Sequence, residues 1–462
     1  MGSPRARASG RSLLILVAAT ASGAAGAQTA QAPASVAGGE VYSVSLAPPV
    51  ETTQLGISLG AGETDNVFLT GSPTRSQTIG VAGLDFDVQR HGTLLDVDAK
   101  GAFEDSYFLQ NAFGNQLYGR FDGLASVQLI PGVWKWVVQE NFGQAQVDPT
   151  TPLTPTNLEN INVFSTGPDF SFRLGATGFV EAGLRYSLAH YETSPLNGYR
   201  ELANLALGEE LSPASSISLN VDDQRLRFDD TQVNTDYDRR ELYSRYQLHG
   251  ARTGLDVDLG VSQTDLTGRW VSAPLAQLTA RRLISAATTL TVALGHELTD
   301  PADNFRNLKG GVGSGIVIAP VAGTSSTYLS NYGSAELRFE RNRTTIGFEA
   351  RWERDSYAQA AALDASRAAV GADLTRRMTQ LVSLEVLGFW QRVHYDGYGY
   401  YETDWPVGAA LVLTPGRHTS LRLRIDHVSH DITGPGVSFT ENRVFLTAEY
   451  RPWPGTQPGS AP

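Results

Sequence analysis

Asp426 and His427, followed closely by His430 and Asp431, supply two imidazoles and two carboxylates, the ligand types that could hold a metal ion. On a strand, however, successive side chains face opposite ways, so His427 and His430 look in different directions and share no ion. No metal-spaced His pair with a Glu and no phosphate-binding loop occurs in the chain. The chain has no cysteine, which excludes a thiol nucleophile, a cysteine-ligated metal, a lipoprotein anchor and a disulfide framework. The expectation is a protein without enzyme activity, metal or cofactor.

The charges that do recur come in alternation. In GLDFDVQRHGTLLDVDAKG, residues 83–101, Leu84, Phe86 and Val88 oppose Asp85 and Asp87, and Leu95, Val97 and Ala99 oppose Asp96, Asp98 and Lys100. A period of two is that of an extended chain, so this is a β-hairpin. The same rule sets Leu184 and its apolar companions against Glu181 and Arg185, Val257 against Asp256 and Asp258, Phe348 and Trp352 against Glu349 and Arg351, and Leu423 against Arg422 and Arg424. So many charges on one face cannot line a dry core, because buried unpaired ions are costly. The charged face must be wet and the apolar face must meet something greasy. The candidate water-facing residues are therefore Asp85, Asp87, Asp96, Asp98, Arg120, Arg185, Asp256, Asp258, Glu349, Arg351, Arg422 and Arg424. Leu184, Val257, Phe348 and Leu423 are the candidate lipid contacts; Val257→Arg is expected to destabilise and Asp258→Asn to be nearly silent.

Elements of one kind position these faces. Tight turns (QRHGT, IPGV, GATG, HGART, ERNR, TPGRH) alternate with longer polar loops, such as those near 63–75, 147–160 and 299–326. Short turns at one end and long loops at the other are the arrangement of outer-membrane barrels, the short turns lying in the periplasm. The reading is an all-β, transmembrane, antiparallel up-and-down barrel of about 20 strands, with 18 as the alternative count. A soluble antiparallel sandwich also alternates, but the near absence of continuously apolar core strands disfavours it. Arg5, Arg7 and Arg11 before SLLILVAAT and a small-residue stretch ending at Ala27 read as a signal peptide over 1–27. Residues 28–52 then form a flexible periplasmic lead, 53–452 the barrel and 453–462 a tail. The formal net charge of −12 argues against a nucleic-acid partner.

Three details carry further expectations. With the first turn centred on His91 and Gly92, Asp87 would face Asp96 and Asp85 would face Asp98, a destabilising like-charge arrangement. Arginines from other strands would offset it, with Arg120, Arg173, Arg185, Arg225, Arg227, Arg351, Arg422 and Arg424 as candidates. In DDQRLRFDD, residues 222–230, the outward parity moves from Leu219 and Val221 to Leu226 and Phe228, which a β-bulge or the strand's exit from the bilayer would explain. In YDGYGYYETDW the rings of Tyr395, Tyr398, Tyr400, Tyr401 and Trp405 suit a membrane interface, or sugar stacking at an outer mouth.

TDNVFLTGSPTRSQTIGVAGLDFDVQRHGTLLDVDAKGAFE, residues 64–104, resembles the start of outer-membrane barrels associated with exopolysaccharide export and exosortase (PEP-CTERM) loci. The last hairpins, LVLTPGRHTSLRLRIDHVSH and ENRVFLTAEYRP, are similar to the same family. The ending TAEYRPWPGTQPGSAP departs from the usual terminal Phe signal of barrels. The resemblance implies work near polysaccharide secretion, with outer-membrane lipid, lipopolysaccharide, polysaccharide and periplasmic export proteins as partners. Two functions follow: a conduit in polysaccharide export or polar-solute passage, or a non-conducting barrel that anchors a surface assembly.

Overall fold

The structure, a computed structural model, describes residues 51–148, 151–266, 268–303, 318–319, 325–434 and 436–453. The signal-peptide segment, most of the 28–52 lead, most of the 453–462 tail and the centre of the 299–326 loop lie outside these residues. In chain order the strands are β1 (Glu51–Thr64), β2 (Gln77–His91), β3 (Leu95–Phe108), β4 (Gln116–Ile130), β5 (Trp134–Gln146), β6 (Leu158–Leu174) and β7 (Gly178–Tyr191). Next come β8 (Gly198–Ser212), β9 (Ser215–Phe228), β10 (Tyr237–His249), β11 (Thr253–Leu266), β12 (Arg269–Ser285), β13 (Thr288–Thr299) and the two-residue β14 (Ile318–Ala319). The last are β15 (Tyr328–Arg341), β16 (Thr344–Tyr357), β17 (Ala365–Arg377), β18 (Val382–Tyr395), β19 (Tyr400–Leu413), β20 (Thr419–Ile432) and β21 (Phe439–Trp453).

Every long strand pairs antiparallel with the next, β13 pairs with β15, and β1 pairs with both β2 and β21. Among the described residues this closes a 20-stranded transmembrane barrel with no free edge. Barrel strands of 12 to 17 residues exceed the roughly 9–11 residues that a tilted strand needs to cross the hydrocarbon, so their ends stand in the interfaces. β14 pairs parallel with the long-loop end of β5 (Ile318↔Gln144).

Residues opposite one another on paired strands share a face, and following that rule around the wall separates two surfaces. The outer one shows Leu59, Leu184, Leu259, Phe348 and Leu446, each more than half exposed. In water such a surface would aggregate; in lipid it is solvated. Trp136 and Tyr450 sit outward near the short-turn end, and Trp270 and Tyr401 near the long-loop end, where rings with one apolar and one polar side belong. Glycines beside bulky rings keep the wall tight: a Cβ on Gly295 would collide with the Tyr332 ring on the neighbouring strand, so the ring fills the place of the missing side chain.

Two expectations are corrected here. The first turn lies at Thr93–Leu94, closed by the Gly92 N–H donating to the Leu95 carbonyl at 3.1 Å. His91 therefore faces Asp96, Gln89 faces Asp98, and Asp87 faces Lys100, whose Nζ is 3.5 Å away. The turn moves by two residues, which keeps each face intact while replacing like charge with opposite charge. In 222–228 the register runs unbroken, so no bulge occurs there. Leu226 points inward and is buried, while Arg225 and Arg227 point outward. The outer face becomes charged because the strand has left the bilayer, and the two arginines do not join the inner wall.

Candidate functional site

The inner wall is the candidate site, and all twelve water-facing candidates stand on it. In the half toward the short turns they are loosely held. Asp85 lies 3.8 Å from Arg451, and Asp96 3.8 Å from the His91 ring. Asp256 meets His249 Nε2 at 3.1 Å. Asp98 and Glu349 make no ion pair among the described residues, and Glu349 faces another carboxylate, Glu336. Such half-exposed charges keep their hydration.

Others are taken up by neighbours. Arg120 contacts Asp122 at 2.5 Å and Arg185 contacts Asp169 at 2.6 Å. Arg422 contacts Glu385 at 2.5 Å, Arg424 contacts Asp426 at 2.9 Å, and Arg351 contacts Glu353 at 2.8 Å. Asp258 departs furthest from expectation. It is buried and receives two parallel bonds from Arg245, Nε to Oδ1 and Nη2 to Oδ2, both at 2.8 Å. A paired, desolvated carboxylate of this kind is a structural group, so Asp258→Asn is not the silent change that alternation alone suggests.

Toward the long loops the inner wall becomes buried and densely polar. The largest feature is a latch between strands and the segment after β13. Asp300 and Pro301 start a helical turn at 301–303, in which Asp300 Oδ1 accepts the N–H groups of Ala302 and Asp303 at 3.1 Å each. An aspartate cap before proline is the standard opening of a helix, since proline lacks the N–H that would go unsatisfied there. The turn aims Asp300 and Asp303 at two inward arginines. Arg200 on β8 binds Asp300 at 2.7 Å and also pairs with Asp303; Arg239 on β10 binds Asp303 at 2.6 Å. Tyr237 donates to Asp300 at 2.8 Å, Gln224 accepts from both arginines, and Arg239 also donates to the Leu298 carbonyl. Two positive and two negative charges, all nearly fully buried, thereby satisfy one another.

Beside the latch a further carboxylate joins, Glu241 on β10, whose Oε1 lies 3.7 Å from Arg239 Nε. Asp222 on β9 stands directly opposite Glu241 on β10, both buried. Among the described residues Asp222 Oδ1 has no hydrogen-bond partner, and neither do the buried hydroxyls of Ser262 and Thr264 on β11. Further round, Arg367 on β17 pairs with Asp355, and at 3.7 Å with Glu353. On β20, His430 Nδ1 lies 2.7 Å from Asp404 on the inner face, while His427 faces out to Asn442, so the two imidazoles are separated as parity requires. The aromatic run also divides. Tyr395 and Tyr400 are buried inward with ring centroids 5.3 Å apart, whereas Tyr401 and Trp405 face outward. No continuous sugar-stacking platform forms from them.

Arg200, Arg239, Asp300, Asp303 and the Asp222–Glu241 pair escape a reading of alternation. One local signal was present: Asp-Pro directly after a strand announces a capped turn. Its target, two strands far away in sequence, is announced by nothing local.

No family model and no curated protein matches the chain. Among solved structures it is similar to the siderophore receptor PirA from Pseudomonas aeruginosa, with 10% identity and a TM-score of 0.44 over 88% of this chain and 81% of that one. It is also similar to the FrpB iron transporter from Neisseria meningitidis, with 7% identity and a TM-score of 0.41 over 86% and 81% of the two chains. For OpdR of Pseudomonas aeruginosa the values are 13%, 0.33, 86% and 96%. The closed pairing of its own strands makes this chain a barrel of the outer-membrane type.

Proposed function

We propose that the chain is an outer-membrane conduit for polar solutes and that, in line with its resemblance to exopolysaccharide-associated barrels, its cargo is a hydrated glycan. The observation that carries this reading is the inner wall between the short turns and the latch, where Asp85, Asp96, Asp98, Asp256 and Glu349 remain half-exposed among mixed charges. Such a wall offers many weak hydrogen bonds and no deep apolar pocket, which suits a hydrated chain better than a greasy ligand. A barrel of 20 strands is wider than the 16–18-stranded porins that already enclose an aqueous channel. Outside, the partners are lipid and lipopolysaccharide; at the periplasmic end, export proteins. No enzyme activity and no cofactor enter this reading.

A second reading, a barrel that anchors a surface assembly without conducting, is favoured by one observation. The inner wall near the long loops is buried, with Asp222, Tyr243 and Asp300 each at most 2% exposed.

Planar-bilayer recording separates the two. The native protein is expected to prefer cations at low salt, with the preference fading as ionic strength screens the wall. Asparagine at positions 85, 87, 96, 98 and 256 should shift the reversal potential toward zero; Asp258 is left in place because it holds Arg245. Equal selectivity in both proteins removes these aspartates from the path, and absence of any conductance favours the anchor.

A further inference from the structure

We propose that the short-turn rim between β10 and β20 is a docking surface for an acidic face of another protein. Its periplasmic location rests on the outer-membrane reading above. Five consecutive turns make this arc: β10–β11, β12–β13, β15–β16, β17–β18 and β19–β20. They carry Arg252, Arg341, Arg343, Arg376, Arg377 and Arg417, all exposed. None of these side chains has an ion-pair or hydrogen-bond partner among the described residues. The acid on the arc, Glu340, is taken by Arg338 at 2.8 Å. On the opposite arc the turns at 131–133 and 175–177 carry no charge, and the β8–β9 turn is flanked by Glu209 and Glu210. The basic strand ends there are partnered, Lys135 with Asp169 at 3.5 Å and Arg173 with Glu210 at 2.6 Å, Arg90 also having a partner. In a chain of net charge −12, this concentration of unpaired arginine is a local feature and does not follow from composition.

Two observations select a protein as the occupant. Lipid headgroups surround the whole rim, so binding them would not confine arginine to one arc. The arginines are also interleaved with exposed apolar side chains, Met378 and Leu381 on the β17–β18 turn and Ile284 at the end of β12, each more than half exposed. Arginine with methionine and aliphatic groups is the composition of protein interfaces, whereas a soluble polyanionic glycan would have no use for the apolar members. Neighbouring turns lie about 10 Å apart along the wall, so the arc spans roughly 40 Å, enough for one small folded domain.

The test places a photo-crosslinking residue at Met378 and, as control, at Leu211 on the opposite arc, which is equally exposed, in whole cells making the full chain. A protein adduct is expected from position 378, reduced about tenfold when Arg341, Arg343, Arg376, Arg377 and Arg417 are changed to Gln, and none from 211. The same quintuple variant, purified in nanodiscs, should bind a polyglutamate peptide about tenfold more weakly than the native protein. Heat-modifiable gel mobility checks that the variant is folded. No adduct at 378, an adduct independent of the arginines, or equal adducts at both positions overturns the proposal. Arginine-dependent retention of phosphatidylglycerol, or tighter binding of polygalacturonate than of polyglutamate, also overturns it, in favour of lipid or glycan. Membrane flotation of the same cells reports location separately. Absence from the outer-membrane fraction overturns the conduit reading, whereas an outer-membrane chain without an arginine-dependent adduct overturns the docking surface alone.

Discussion

The Arg239 guanidinium donates to Asp303 Oδ2 at 2.6 Å, joining β10 to the segment after β13 across 64 positions of sequence. Both side chains are almost completely buried, and Arg200 shares the same carboxylate. The latch ties a long loop to strands that are not its neighbours in the wall, so the long-loop end of the barrel has a fixed interior.

Asp303→Ala should therefore be costly, because it takes the shortest ion pair from both buried guanidinium groups, leaving Asp300 to be shared and Glu241 at 3.7 Å from Arg239. A loss of about 3–5 kcal/mol is expected from denaturant titration in lipid vesicles. Asp229→Ala, on an exposed loop, should stay within about 0.5 kcal/mol. Equal midpoints for the two variants would dissolve the latch.

Val257 faces out from β11, next to the inward Asp256 and Asp258. Val257→Arg is expected to cost about 2–4 kcal/mol if the position lies at mid-membrane. Asp256→Asn should cost less than about 1 kcal/mol, since its partner His249 is exposed. Asp258→Asn, which removes the charge and one of the two acceptors that hold Arg245, should fall nearer the first value. If all three changes behaved alike in refolding titrations, the assignment of faces would be wrong.

Asp222→Asn is expected to stabilise the barrel. It removes one of two opposed buried carboxylates while keeping an acceptor for the Tyr243 hydroxyl, which lies 3.4 Å from Asp222 Oδ2. Relief of a like-charge pair is worth about 0.2–1 kcal/mol, read as a higher denaturant midpoint. A lower midpoint would mean that the negative charge is needed.

Gly260 on β11 lies opposite Tyr243, and a Cβ there would press on the Leu242 carbonyl and approach the Tyr243 Cα to 2.5 Å. Because the obstacles are backbone atoms, Gly260→Ala should cost about 1–3 kcal/mol by forcing β10 and β11 apart. Gly114, with open space around it, should accept alanine almost freely. Similar thermal midpoints for the two variants would contradict this.

The chain by itself determined which side chains share a face. Alternation over 83–101, 255–261, 346–353 and 421–426 needs only the two-residue period of an extended backbone, and the turn positions need only local Gly, Pro and polar chemistry. Those two signals were enough for the barrel, its strand count and the inner placement of residues such as Asp85, Arg351 and Arg424. They were not enough for partners. A turn at Thr93–Leu94 or at His91–Gly92 leaves the same faces in place, so the pairing of Asp87 with Lys100 had to come from the folded register. Asp256 and Asp258 look alike in sequence, yet one remains half-exposed and the other is buried against Arg245. Arg225 follows the same alternation as the lipid-facing Val221, and only its height on the wall, above the bilayer, explains its charge. The Arg200–Asp303 contact exists because closure of the wall brings β8 and the end of β13 around a common interior, and a periodic pattern along one strand carries no information about what lies across that interior.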